Sequence, residues 1–188
     1  TRPGEIMFGL NMVVNKGKTV FIGDTSVHEN PTAEQLTEIA ISSARVVRLF
    51  GFDPKVAFVS HSTFGQPATN STKHIRDAVE ILQDKKVDFQ FDGDMQPDVA
   101  LNEEYKELYS FSGIVGNANI LIMPGQHSAA ISYKMMKSLG GAKVIGPLLI
   151  GLGQPIEIAP LRSSTSDILN LASVAAYSAG VINYGKKN

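Results

Sequence analysis

Along this chain, short apolar runs alternate with stretches whose apolar residues recur at helical spacing. The clearest pair lies in 119–139. Ile120-Leu121-Ile122-Met123 is an unbroken apolar run, the pattern of a strand covered on both faces. Pro124-Gly125 ends it, since proline lacks the ladder donor and glycine permits a sharp turn. Ala129, Ile131 or Ser132, Met135 and Leu139 then recur at helical spacing, which predicts a helix over 128–139. Gly140-Gly141 supplies a left-handed stop. The loop with Gln126, His127 and Ser128 thus joins a strand's carboxyl end to a helix's amino end, where open α/β sheets hold ligands.

From the amino end, the same pattern predicts strands over 8–14 and 19–22 around a turn at Lys16-Gly17-Lys18. Thr32-Ala33-Glu34-Gln35 has the form of a capping box. A helix should run from it to about Phe50, burying Leu36, Ile39, Ala40, Val47 and Phe50. Next come a strand over 56–59, a polar loop over 60–65, a helix over 72–85, a strand over 87–91 and an acidic turn over 92–98. A short helix over 102–109 and a loop over 113–116 precede the central pair. Beyond it, 155–159 alternates like a strand and 160–164 is a loop. A helix over 166–177 carries Ile168, Leu169, Leu171 and Ala175, and the run from Ser164 to Asp167 resembles a second capping box. The tail 184–188 is expected to fray. Strands alternating with helices predict a three-layer α/β/α architecture with a mainly parallel sheet and right-handed crossovers.

Composition narrows the function classes. The chain has 188 residues, 43% hydrophobic and 19% charged, which suits a globular protein with one ordinary domain or two small lobes. Its net charge of −1 gives no general pull toward nucleic acid or membrane. It has no cysteine, which excludes disulfides, thiolate metal sites and thiol catalysis and fits a cytoplasmic location. No apolar run approaches the roughly 20 residues of a membrane span. Thr1-Arg2-Pro3-Gly4 is no signal peptide, and without a starter methionine the chain reads as a segment of a longer one.

Candidate chemistry gathers at predicted strand ends. Ser60-His61-Ser62-Thr63 offers hydroxyls and backbone donors that can cradle a phosphate, although the glycine spacing matches neither a Walker loop nor a dinucleotide fingerprint. Asp24 closes a strand and either binds a ligand or bonds its own turn. Asp92, Asp94 and Asp98 fall within seven residues; they form either a cation or acid–base site, or a solvated acidic turn. His61 and His127 occupy equivalent strand-end loops and could meet across a cleft. His28, His61, His74 and His127 are too dispersed for a local metal motif, so no metal is assigned.

A set of phrases resembles the phosphotransacetylase/phosphotransbutyrylase family in order and spacing. They are Gly23-Asp24-Thr25 with Asn30-Pro31-Thr32-Ala33-Glu34, Ser60-His61-Ser62-Thr63, Asp92-Gly93-Asp94-Met95-Gln96 with Asp98, Gly116-Asn117-Ala118-Asn119, and Gly140-Gly141-Ala142 through Ile145-Gly146-Pro147. A narrower similarity, to the version fused to the C-terminus of bacterial NADP-dependent malic enzymes, rests on Thr1-Arg2-Pro3-Gly4, Ser62-Thr63-Phe64-Gly65, His127-Ser128-Ala129 and Ile158-Ala159-Pro160-Leu161. The resemblance implies a two-lobed fold of the isocitrate/isopropylmalate dehydrogenase type, a coenzyme A and acyl-phosphate cleft between the lobes, and a dimer. The second lobe would span 43–149. Residues 1–42 and 150–188 would belong to a first lobe whose N-terminal part is missing.

Active members of the family carry a serine–arginine pair and, in the same loop, an aspartate. The arginine grips the acyl phosphate, the serine assists, and the aspartate is the proposed base for the thiol. Here Asp167 matches the aspartate, but the pair falls on Pro160 and Leu161, with Arg162 one position out of register. Losing one such contact costs roughly 10²–10³-fold in rate, and leucine has no planar fork of donors. The resemblance therefore implies a non-catalytic regulatory and dimerisation module. It would bind acetyl-CoA or another acyl-CoA at Ser60, Ser62, Thr63, Asp92, Gln126, His127, Ser128 and Asp167. An upstream malic enzyme half would hold NADP and a divalent metal; this segment would hold neither. The alternatives are a working phosphate acetyl/butyryltransferase using Arg162 and Asp167, and a purely structural dimerisation module.

Overall fold

The computed structural model describes residues 5–67 and 69–184. The phrase at 1–4 and the tail beyond residue 184 lie outside them.

Six strands form one sheet in the order β4-β3-β5-β2-β1-β6. β1 (Phe8–Asn15) and β2 (Lys18–Gly23) make a hairpin across Lys16 and Gly17, which take φ of 48° and 77°. Positive φ at both central residues matches the right-handed twist of the flanking strands. β2, β5 (Ile120–Ile122), β3 (Lys55–Val59) and β4 (Gln90–Met95) run parallel. β1 is antiparallel both to β2 and to β6 (Lys143–Ile150), so it alone runs against the others. β5 is buried at every position, as expected for a central strand covered on both faces.

One face of the sheet carries α1 (Ala33–Leu49), α2 (Lys73–Lys85) and α6 (Thr165–Tyr184). Phe8, Phe21, Phe58, Leu36, Ile39 and Leu82 fill this side. The other carries α3 (Pro97–Leu101) and α5 (Gln126–Gly140), packed on Ile22, Ala57, Met95 and Leu121. The connections β2-α1-β3 and β3-α2-β4 step one way along the sheet over the first face. β4-α3-β5 and β5-α5-β6 step back over the second. Opposite steps over opposite faces are what a single crossover hand requires. Residues 8–42 contribute β1, β2 and much of α1 to the same sheet and layers as 43–149.

The capping box of α1 forms as expected: Thr32 Oγ1 accepts from Gln35 N at 3.3 Å, and Gln35 Oε1 accepts from Thr32 N at 2.9 Å. Phe50 caps the far end, half-buried rather than buried.

Several expectations are corrected. The strand placed at 87–91 forms at Gln90–Met95, because β3 dictates its register from Lys55↔Gln90 onward. Asp92 and Asp94 are therefore in a strand, not in an acidic turn. α3 was not anticipated, and the helix expected over 102–109 is a short α4 (Glu103–Lys106) with a 3-10 turn. The run 143–150, assigned no element, is β6; its internal Pro147 is tolerated because β6 is an edge strand. The strand expected over 155–159 reduces to one bridge, Leu148↔Glu157. On α5 the residues that signalled the helix mostly face outward: Ile131, Met135 and Leu139 are 57%, 54% and 82% exposed, while Ala129 is buried and Tyr133 and Met136 are half-buried. Both rows start at Ala129, and contact with the sheet selects the one containing the aromatic ring. On α6, Leu171 is buried but Ile168 and Leu169 are exposed.

Candidate functional site

The loops that follow β2, β3, β4 and β5 crowd one edge of the sheet. Asp24, after β2, is 1% exposed. Its Oδ1 accepts from Gly9 N at 2.9 Å and Ser26 N at 2.8 Å; its Oδ2 accepts from His28 N and meets His28 Nδ1, both at 2.7 Å. Val27 N donates to both oxygens at 3.2 Å. Of the two readings of Asp24, the turn aspartate is the one realised. The same loop meets α5, where Gln126 N donates to His28 O at 3.0 Å. Gln126 and Ser128 are half-buried and His127 is exposed. His61 is also exposed, and the two imidazoles do not hydrogen-bond to each other.

After β3, Ser60, Ser62 and Thr63 come together, all buried. Ser60 Oγ lies 3.1 Å from Ser62 Oγ, and Ser62 Oγ donates to Asp94 Oδ2. Arg76 reaches the same oxygen at 3.8 Å. Asp94 Oδ1 accepts from Gly65 N at 2.9 Å. Thr63 Oγ1 accepts from Gln96 N at 3.2 Å. Two of the hydroxyls expected to cradle a ligand are thus spent bracing the loop, with Ser62 fully buried. The carboxylate that joins them is Asp94. Asp92 faces the other way, its Oδ2 accepting from Gly113 N at 2.7 Å. Nothing in the alternation of 87–98 distinguishes the two aspartates; only the pairing with β3 does. Among the described residues, no group of three histidine or acidic side chains is placed to hold a metal ion.

Arg162 and Asp167 occupy a different cleft. It lies against edge strand β6, about 120 Å³ in volume, and Tyr133, Lys137, Gly146, Pro160, Arg162 and Asp167 are among its walls. β3 and β6 are separated by four strand spacings, roughly 19 Å at about 4.8 Å each. Within this chain, the Ser60 loop and Asp167 therefore do not share one cleft. Asp167 serves the second capping box: its Oδ2 accepts from Ser164 N at 2.9 Å and Ser164 Oγ at 2.8 Å, and its own N donates to Ser164 Oγ at 3.2 Å. These bonds to Ser164 hold its carboxyl below the usual range, aided by the charges of Lys137 and Lys143. Pro160 and Leu161 are exposed, Leu161 completely. Lys137 and Tyr133 had no signal in the sequence beyond their places on a helix.

Comparison with known proteins finds a family for the chain. A model of the family described as phosphate acetyl/butaryl transferase matches residues 1–176. An NADP-dependent malic enzyme of Rhizobium meliloti is 45% identical over 95% of this chain, which covers 24% of that protein. A phosphate acetyltransferase of Clostridium acetobutylicum is 34% identical over 85% of the chain, which covers 49% of it. The crystal structure of a phosphotransacetylase from Streptococcus pyogenes superposes with a TM-score of 0.89 at 32% identity, over 95% of this chain and 56% of that one. The chain thus spans about a quarter of the malic enzyme and about half of the two phosphotransacetylases. With nearly all of its length matched, the chain belongs to the phosphate acetyl/butaryl transferase family.

Proposed function

We propose that this chain is the C-terminal phosphotransacetylase-like domain of an NADP-dependent malic enzyme. It works as a non-catalytic module that binds acetyl-CoA or a related acyl-CoA and relays that binding through dimer contacts. The parent would oxidatively decarboxylate malate in the cytoplasm, with NADP and the divalent metal held upstream. The observation that carries this reading is at the C-terminal loop. Exposed Pro160 and Leu161 stand where the family places a serine and an arginine, and Asp167 spends its carboxylate on Ser164. A carboxyl held low is a weak base for a thiol, since general bases work best with a pKa near the working pH. The cationic lining of that cleft, Lys137 and Arg162, suits an anionic ligand without supplying the missing pair. Ile156, Ile158, Leu161, Ile168 and Leu169 are all at least half exposed. That supports assigning 150–188 to a lobe completed by residues outside this chain. Calorimetric titration of the intact parent with acetyl-CoA tests the proposal: saturable binding with altered malate turnover is expected, and absence of binding refutes it.

A second reading has its own support. Arg162 lines the same cleft as Asp167, so a phosphate acyltransferase built on those two residues has the required neighbours. Robust acetyl phosphate formation by the complete two-lobed domain, abolished by Arg162→Ala, would establish it over the first.

A further inference from the structure

The sheet face that carries α3 and α5 has two halves. α5 packs on β2, β1 and β6, while α3 packs on β3. The segment 102–118 completes the second half. Its Ile114 and Ala118 are buried in the same core as α3. Gly113 N and Val115 N donate to Asp92 Oδ2 at 2.7 Å and to Gln90 Oε1 at 2.8 Å, both on β4. α5 therefore lies toward the β6 end of this face, and 102–118 toward the β4 end.

Each half turns an apolar row to solvent. On α5 the row is Ile131, Met135 and Leu139, each about one turn from the next. On the other half Leu108 is 75% exposed and Phe111 and Val115 are 70% exposed. Single exposed apolar side chains are ordinary, whereas grouped ones mark a surface that another surface covers. Phe111 is also held in place, its ring centroid 4.8 Å from that of Phe64 and 6.1 Å from that of Tyr109. A side chain fixed beforehand loses little freedom on docking.

The two rows have rims of opposite charge. α5 carries Lys134 and Lys137 and no acidic residue, and Lys143 follows its glycine stop; all three lysines are exposed. The other half presents Asp98, Glu103, Glu104 and Glu107, all exposed, against a single lysine in that stretch of sequence, Lys106. Like charges brought together across an interface are costly, and opposite ones set its register. Either row set against itself in a second copy would pair like with like. A two-fold axis lying in the interface and parallel to the strands avoids this, because it exchanges the two ends of the face. It lays α5 of each copy on the 105–115 row of the other, so one contact is made twice.

We propose that this face is a dimer interface, with α5 of one copy seated on the Leu108–Phe111–Val115 row of the second. It names the dimer contacts that the acyl-CoA reading invokes, yet does not rest on that reading, because association is measured without ligand. Sedimentation equilibrium of the 188-residue chain over a concentration series tests it. The unaltered chain should form dimers. Leu139→Glu sets an acid against the partner's acidic rim, and Leu108→Lys sets a cation against the partner's lysines. Each variant alone should dimerise about tenfold or more weakly. Both positions are exposed, so the core is untouched and the circular dichroism spectra should match that of the unaltered chain. An equimolar mixture of the two should associate more tightly than either alone, since the altered α5 then faces the altered row and the unaltered pair is restored. A chain monomeric throughout the series overturns the proposal. So does a mixture no tighter than its components. Leu108→Lys dimerising like the unaltered chain overturns it in favour of α5 against α5, and Leu139→Glu doing so shows that α5 is not in the interface. A dimer that survives both substitutions places the contact elsewhere and leaves the acyl-CoA reading to its own titration.

Discussion

Glu157 gives the most direct test of the structure. It sits just past the end of β6, tied to it by the bridge to Leu148. Its Oε2 is buried and has no hydrogen-bond partner among the described residues. Burial pushes its carboxyl up from 4.5 to about 7, only partly offset by the Leu149 amide. The folded state therefore holds the proton between pH 4.5 and about 7, while the unfolded chain has released it. Stability must fall as pH rises through that window and level off above it. A fully shielded group shifted this far would contribute about 3 kcal/mol; Glu157 is only half-buried, so solvent screening reduces this to about 1–2 kcal/mol. Glu157→Gln removes the charge and keeps the shape. Urea unfolding followed by circular dichroism at pH 5, 6, 7 and 8 should show near-equal stability of the two chains at pH 5. At pH 8 the glutamine variant should lead by about 1–2 kcal/mol, a gain of about 2–8 °C in Tm. Subtracting the two profiles cancels the histidines and other carboxylates. Parallel profiles, or a glutamine variant less stable at pH 8, would refute the burial argument.

Other outcomes follow from named bonds. Asp24→Asn should destabilise the chain by about 3–5 kcal/mol in urea titrations, because an amide offers one acceptor oxygen and turns its NH₂ toward buried donors. Thr32→Ala should cost about 1 kcal/mol through the lost cap of α1, and Thr32→Ser should recover most of it. Ser164→Ala should let the Asp167 carboxyl rise toward its ordinary value, read by an NMR pH titration of the side-chain carbon; an unchanged titration would mean that Ser164 does not hold it.

Most of the architecture was legible because its signals are local. The unbroken run at 120–123, the Thr32 box and the Lys16-Gly17 turn each specify an element within a few residues, and each forms. The misreadings have a shared cause. β4 and β6 are the two edge strands, and both carry residues that argue against a strand: Asp92, Gly93 and Asp94 in one, Gly146 and Pro147 in the other. Their pairing is set by β3 and β1 rather than by their own pattern, which periodicity cannot see. Which face of α5 is buried was not legible for a similar reason, since two rows run through Ala129 and only the neighbouring layer selects between them.

Candidate chemistry was harder to read because residue type does not reveal whether a group is already spent. Ser60, Ser62 and Asp24 all present ligand-binding groups in the sequence, and in the fold each also bonds a buried partner of its own. In the proposed reading, Asp167 combines a family position with a local task. The bond that caps α6 also lowers the basicity that thiol activation would need, so stabilising the helix and activating a thiol pull the carboxylate in opposite directions. An arginine one position upstream would reverse neither effect. A guanidinium placed beside Asp167 lowers its carboxyl further, so in the transferase reading that relies on Arg162 a proton would have to be taken on Oδ1, the oxygen that Ser164 leaves free, by a carboxylate of reduced basicity.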